Sequence, residues 1–535
     1  MPSIYPKLRT GRIVPAKSSY STDSRGAQVI KHSLRCGATM RAILSDNLGA
    51  ITSADVVELN SYFGTRQGKP ILETIHYSNL KFDGDRGRVL GSLISSPCLG
   101  VRRIIFNQLN LDKETVRAII KGISRAPSLE RVTITRCSLR DKDLGSILMA
   151  VAQNPKITTL VLDQNSFSGA GCEALARNTG KLRALSLSGH FFGPDSAQYI
   201  SELLRSNIEL QELDLSRNQL RANGMHTLSP AFLFNHTLLS INLSGNEISP
   251  DGCVRLCQGL EDNRGLQHLN LAFNHVGDQG VEAICKLLKV NRTILFLQLD
   301  MNRLSPESGR LLGAMLKKNS ALKSLSLDSN LLLGVGAAAI AAALPYNEYL
   351  ENLSLSDNEI GNEGVQAFAF GLPNNTVLQR LVLKNARVQD PAVYRGLVSS
   401  LENNRAIKML DMDFDFIGWE AVYKTLQPLL TRNYIMNRKE FTAAVQVLWG
   451  VRALCHPSNW SSPLPPELLE EIVRSLDADH VLHPTHLRNI FRFGRSLATL
   501  TPSVTQESFL TQIFGKNFRF QPCHPTYPSL FDFNL

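Results

Sequence analysis

The stretch 266–293, LQHLNLAFNHVGDQGVEAICKLLKVNRT, decides how the chain is read. Leu266, Leu269 and Leu271 are spaced to point inward from one short strand. Asn274 follows, where its side-chain amide can satisfy backbone groups in a turn. Asp278 is placed to cap a helix, and Val281, Ile284, Cys285 and Leu288 then form one apolar helical face. Asn291 closes the helix, a place suited to a residue that tolerates left-handed backbone. The unit is a strand, a loop and a helix, and it can bury its apolar faces only against neighbours.

Neighbours are present on both sides. The pattern recurs as LQELDLSRNQL from Leu210, LLSINLSGNEI from Leu238, ILFLQLDMNRL from Ile294, LKSLSLDSNLL from Leu322 and LENLSLSDNEI from Leu350, with starts 28 residues apart. Looser copies begin at Leu72, Val101, Leu129, Ile157, Leu182, Leu378 and Ile407, giving about thirteen in all. The closing Asn returns at Asn154, Asn207, Asn235, Asn263, Asn319, Asn347, Asn375 and Asn404. The copy starting at Ile157 is 25 residues long, so curvature is expected to change there.

These residues resemble the ribonuclease-inhibitor type of leucine-rich repeat, with its L-x-x-L-x-L-x-x-N/C-x-L strand half and a helical half. The resemblance implies an α/β, right-handed solenoid horseshoe with parallel strands inside and helices outside. Thirteen strands about 4.8 Å apart would give an inner arc of about 58 Å, enough to embrace a folded domain. The expected organisation is a basic Ser-rich tail (1–45), an N-terminal helical cap (46–71), the solenoid (72–430), a C-terminal cap helix (431–456) and a helical C-terminal region (457–535).

Composition agrees with a globular repeat protein: 43% hydrophobic and 19% charged residues, with no apolar run approaching the roughly 20 residues of a spanning helix. No membrane association is expected. Nine cysteines without a C-x-x-C pair do not make a disulfide framework. Cys172, Cys253, Cys257 and Cys285 fall at repeat helix positions, and Cys137 stands where most copies carry the strand-end Asn. Free buried thiols imply a reducing compartment, so the expected location is cytoplasmic or nuclear. The net charge is +10, and the first 41 residues hold eight Lys or Arg against Asp23 alone. That start would also suit a secretion signal of an effector delivered into host cytoplasm.

Chemistry-bearing motifs reduce to the repeat. Gly169–Ala174 and Gly334–Ala339 fit a dinucleotide fingerprint. However, Gly171, Gly224, Gly252, Gly280, Gly336 and Gly364 share one repeat position, where the helix is expected to approach the strand closely. The sequence has no P-loop, H-E-x-x-H or G-x-S-x-G motif, and no cofactor, metal or catalytic residue is expected. The Cys455-His456 and Cys523-His524 pairs lie too far apart in sequence to support a zinc site.

The strand face is the candidate site. Counting the first leucine of each copy as position 1, positions 3, 5, 7 and 8 should face out of the sheet. They include Arg103, Arg131, Arg136 and Asp163 early. Asp214, Arg217, Phe273, Phe296, Asp300, Met301 and Asp328 follow, then Asp357, Arg380, Lys384, Asp411, Asp413 and Phe414. Acids among aromatics suit a protein partner, because charge steers and aromatics anchor, whereas they would repel nucleic acid. Charge reversal at Asp300 and Asp328 is expected to slow association and leave the fold intact.

Beyond the repeats, Leu464–Asp477 (LPPELLEEIVRSLD) resembles the opening helix of an F-box. The resemblance implies docking onto the adaptor of a cullin-type ubiquitin ligase through Leu464, Pro465, Leu468, Leu469 and Ile472. The chain reads as an interaction scaffold, in its sharper form a ligase substrate receptor. The alternative is a GTPase regulator, since Ran GTPase-activating proteins share this repeat type and Arg103 or Arg136 could offer charge.

Overall fold

The computed structural model describes residues 73–80, 84–97, 99–179, 181–413 and 420–433. The expected tail, the N-terminal cap, the C-terminal cap helix beyond residue 433 and the F-box-like segment, including Leu464, Pro465, Leu468, Leu469 and Ile472, lie outside them. The chain divides into two compact units at Arg131/Val132. In the first, β1 (Thr74–Ser78) pairs in parallel with β2 (Arg103–Asn107), and helices Gly84–Ile94 and Lys113–Arg125 follow the two strands. The boundary falls after the first residue of β3 (Arg131–Thr135), and the second unit continues with β4 (Thr159–Val161). It continues through β5 (Ala184–Ser186), β6 (Glu212–Asp214), β7 (Ser240–Asn242), β8 (His268–Asn270) and β9 (Phe296–Gln298). It ends with β10 (Ser324–Ser326), β11 (Asn352–Ser354), β12 (Arg380–Val382) and β13 (Met409–Asp411).

Within each unit the strands follow one another in chain order and pair in parallel, with a helix between successive strands. Strands β4 to β13 are each centred on position 4 of their copy, and the longer β1 to β3 run from position 3 to position 7. Leu213, Ile241, Leu269, Leu297, Leu325, Leu353 and Leu381 stand in one row across the sheet. Leu266, Leu269 and Leu271 are buried as expected, and so are Val281, Ile284, Cys285 and Leu288 on the helix Gly277–Val290. Each fully buried side chain contributes about 1.5–3 kcal/mol. In the 25-residue copy the register is kept, Thr159 opposite Ala184, and the helix Gly169–Asn178 is the shortened part.

Two buried ladders of Asn side chains tie the copies together. At position 9, Asn246 Nδ2 donates to Leu215 O of the copy before and to Leu243 O of its own. Its Oδ1 accepts from Asn218 N and Leu220 N. Asn274, Asn302, Asn330 and Asn358 donate to the preceding copy in the same way. The second ladder uses the helix-closing Asn. Asn291 Nδ2 donates to Leu260 O and Asn263 O of the preceding copy, and Oδ1 accepts from Ile294 N.

Three local expectations are corrected here. The closing Asn is not left-handed: Asn291 has φ −73° and ψ 131° and Asn347 φ −98° and ψ 122°, so the place requires a bridging amide rather than an unusual φ. Asp278 does not cap its own helix; its carboxylate accepts from Ser305 N, Ser305 Oγ and Ser308 Oγ at the helix start of the next copy. The shared glycine serves helix-on-helix packing rather than a helix-to-strand approach. A Cβ on Gly252 would lie 3.0 Å from Ala222 Cα in the previous helix and 2.8 Å from Ile248 Cγ2. A Cβ on Gly336 would lie 3.0 Å from Pro306 Cα, which gives the fingerprint-like segment a packing role.

His190 replaces the ladder Asn in the copy from Leu182. It is buried and stacked between Phe167 and Phe192, at centroid distances of 4.8 and 5.0 Å. Burial pushes its pKa down from 6.5 to about 4. The neutral ring is the form the fold accepts, so its contribution is intact above pH 6.5 and is lost as pH falls towards 4. Asp163 has the opposite sign: burial lifts its carboxyl from 3.8 to about 6, so its penalty is relieved as pH falls below 6. Asp163 is common to both proteins when wild type is compared with His190→Asn, which isolates the imidazole. The variant's stability advantage should grow by up to roughly 3 kcal/mol between pH 6.5 and 4, read by urea titration. A constant difference would mean that His190 is solvated.

Candidate functional site

The outward face of β6–β12 builds the site. Position 3 carries Ser240, His268, Phe296, Ser324, Asn352 and Arg380 in register. Phe296 stacks on His268 with centroids 4.1 Å apart and rings within 5° of parallel. A cavity of about 610 Å³ opens on this face, lined by Asp214, Asn270, Phe296, Gln298, Lys323, Glu351, Arg380 and their neighbours. Below the row, Lys323 Nζ lies 3.3 Å from Glu351 Oε1, and both side chains are nearly buried.

The acids expected to project as a negative field are tied into the sheet. Asp300 accepts from Ser326 Oγ at 2.5 Å and Asp328 N at 2.8 Å. Asp328 accepts from Ser354 Oγ and Ser356 N. Asp163 holds Ser186 Oγ and Ser188 N in the same manner. Asp214 accepts from Ser216 N and Oγ of its own copy and from Asn242 Nδ2 of the next. The ties of Asp163, Asp300 and Asp328 cross copies, because an acid at position 7 reaches the hydroxyl and N–H of the adjacent copy, whereas Asp214, at position 5, is held largely within its own. Burial raises the Asp300 pKa, against the lowering effect of its hydrogen bonds. Contrary to the expectation from sequence, Asp300→Lys with Asp328→Lys disturbs the fold as well as the surface. Each change removes an acceptor of two inter-copy hydrogen bonds, and the pair should destabilise by about 2–4 kcal/mol in urea titration. Asp300→Asn with Asp328→Asn, which keeps an acceptor at each place, should restore most of that. Equal stability of both pairs would show the ties to be weak.

Other predicted residues sit as follows. Asp357 accepts from Asn385 Nδ2, Asp411 pairs with Lys384 at 3.0 Å, and Asp413 accepts from Asn385 N. Phe414 lies outside the described residues. Arg217 is exposed. Arg103 pairs with Glu73 at 3.1 Å, and Arg136 Nε donates to Gln164 Oε1, so both guanidinium groups named for the GTPase reading are engaged inside the chain.

Position 8 shows what the pattern of leucines hides. Its backbone is left-handed at Gln108, Arg136, Gln164, Arg217, Phe273, Met301, Ser329, Asp357 and Asn385, and at Gly189 and Gly245. The geometry lets the N–H continue the sheet ladder past the strand, as from Phe273 N to Asp300 O and from Met301 N to Asp328 O. Its side chains therefore stand on a ridge bordering the strand face. Phe273 is 55% and Met301 44% exposed. Leu331 (55%) and Leu333 (41%), in the corresponding loop of the next copy, were missed by the strand-face rule. The usable signal was apolar side chains at loop positions that carry polar or glycine residues elsewhere.

Among the described residues no group of three or more His, Cys, Asp or Glu could hold a metal ion, and no helix is long and apolar enough to cross a membrane. The surface is one of shape, hydrogen bonds and anchors, and such repeats support a protein–protein interaction scaffold.

No curated protein matches the sequence significantly. Solved structures similar to this chain include an internalin (inlF) from Listeria monocytogenes, at 16% identity over 74% of this chain and 98% of that one, TM-score 0.39. A chain of the yeast Rad7–Elc1 complex matches at 17% identity over 72% and 89%, TM-score 0.41. The actin-binding site 2 of leiomodin-1 matches at 18% identity over 36% and 94%, TM-score 0.26. The sequence model of the family described as "Leucine Rich repeat" matches residues 153–176, 206–229, 234–257, 262–285 and 346–369. Each match spans one helix-end Asn, strand and following helix of the observed unit, and with the parallel strands and Asn ladder between them this chain is a leucine-rich repeat protein.

Proposed function

We propose that the chain is a protein–protein interaction scaffold whose second unit holds a partner on the strand face and its bordering ridge. The carrying observation is the pair Phe273 and Met301. A side chain in left-handed backbone is unfavourable; two sister copies avoid it with Gly189 and Gly245 and the others place polar residues there, so Phe273 and Met301 are the apolar exceptions. Exposed as they are, these side chains return little packing energy to the fold. They gain it when a partner covers them, as aromatic and Met anchors do at interfaces.

A photoreactive benzoylphenylalanine in place of Phe273 should crosslink a protein partner in cells, whereas the same residue in place of exposed Glu282 on the helix should not. Phe273→Ser with Met301→Ser should then weaken capture of that purified partner at least about tenfold, with an unchanged melting temperature. Crosslinking from Glu282 alone would move the interface to the helices. The finer reading, a substrate receptor for a ubiquitin ligase, rests on the likeness of Leu464–Asp477 to an F-box helix.

A further inference from the structure

We propose that the cavity over β9–β12 receives an extended segment of the partner protein in which an apolar side chain and a carboxylate stand about four residues apart, the first against Phe296 and the second on Arg380. The inference rests on the scaffold reading and specifies its partner.

The argument begins with the row at position 3. Phe296 and Arg380 are bulky, and between them stand the small Ser324 and the amide Asn352, so the row dips between an aromatic wall and a cation. Three strand intervals separate the two, about 14 Å, which an extended chain spans in about four residues. The floor is the Lys323–Glu351 pair, with side chains only 10% and 15% exposed. An ion pair so buried is a poor source of stability, because desolvation offsets the attraction. A polar floor suits a polar occupant.

Charge decides which occupant. The nearby acids are all engaged: Asp300 and Asp328 with Ser hydroxyls and backbone N–H, Glu351 with Lys323, Asp411 with Lys384. Arg380 directs Nε to Met409 Sδ at 3.1 Å, and among the described residues no ion pair occupies it. A carboxylate entering here meets a guanidinium able to bind it in a forked geometry. A Lys or Arg would meet like charge. Asn270 and Gln298, which line the same cavity, offer amide groups to a passing main chain.

The test uses the full chain and fluorescein-labelled fourteen-residue Gly/Ser peptides holding one Trp and one Asp, separated by one to seven residues. Fluorescence anisotropy should show tightest binding near a separation of four. Asp→Asn in the best peptide should weaken it about tenfold or more, and Asp→Lys should abolish it. Arg380→Ala should impose the same loss on the Asp peptide and none on the Asn peptide, with Arg380→Lys recovering part. Arg380→Ala should leave thermal melting unchanged. Equal binding of Asp and Asn peptides, indifference to Arg380→Ala, or no binding by any peptide would overturn the proposal. If the peptides fail while a partner crosslinks at position 273 and is lost with Phe273→Ser and Met301→Ser, only this inference falls. If nothing crosslinks there, the scaffold reading falls with it.

Discussion

Leu271→Asp is expected to unfold the central copies of the solenoid. The side chain is fully buried at position 6, and its backbone is held on both sides: Leu271 N donates to Gln298 O, and its carbonyl accepts from Asn274 and Asn302. The backbone cannot turn the new carboxylate outward without breaking those bonds. A buried, unpaired carboxylate costs several kcal/mol, and each copy depends on the interfaces it makes with its neighbours. Leu271→Ala supplies the comparison, since loss of the side chain alone costs about 2–5 kcal/mol. Acid separates the two variants. The folded Asp variant prefers the protonated acid, so its penalty should shrink as pH falls through the raised folded pKa, whereas the Ala penalty should not move. Urea titrations at pH 7 and pH 4, with hydrogen exchange to locate the damage, make the measurement. A melting curve unchanged by Leu271→Asp would place position 6 outside the core and overturn the register of the whole array.

That register was legible because it is set by a period. Three inward positions per strand and four per helix recur at a fixed spacing, and a buried face must repeat wherever the unit repeats. The strands, the helix faces and the repeat-derived cysteines could all be read this way; Cys253, Cys257 and Cys285 lie buried against the helical layer. What could not be read were contacts between one copy and the next, because a one-dimensional pattern shows which positions recur and not where a side chain reaches. The closing Asn was assigned for its backbone tolerance, and it serves by its amide. Asp278 was assigned to its own helix, and it serves the following one. Asp300 and Asp328 looked like free surface charge, and their hydroxyl and N–H partners lie 26 and 28 residues further on. The same limit applies to function. Phe273 and Met301 can be read from the pattern as outward-facing, whereas the left-handed backbone that sets them on a ridge cannot.

The Asn ladder offers the second large effect. Asn274 Nδ2 donates to Leu243 O, Leu271 O and Ala272 O, and Oδ1 accepts from Asn246 N at 2.9 Å and Ile248 N at 3.3 Å. The carbonyls of Leu243 and Leu271 keep a second donor each, from Asn246 and Asn302. The two N–H groups have no such reserve, so Asn274→Ala leaves two buried donors unpaired and should cost about 2–5 kcal/mol. Asn274→Asp separates the two functions of the amide. It keeps the acceptor and loses the donors, and it sets a carboxylate oxygen against the carbonyls of Leu243 and Leu271. It should be worse than Ala at pH 7 and improve as pH falls, because only the protonated acid can donate. The chain itself contains the intermediate case. Cys137 stands at this position in the copy from Leu129, where Sγ contacts Thr135 O at 3.2 Å and the backbone N–H donates to Asn165 Oδ1. Asn274→Cys should therefore fall between wild type and Ala. If Ala, Cys and Asp at 274 all melt within about 0.5 kcal/mol of wild type, the ladder is ornamental and the stacked leucines alone hold the copies together.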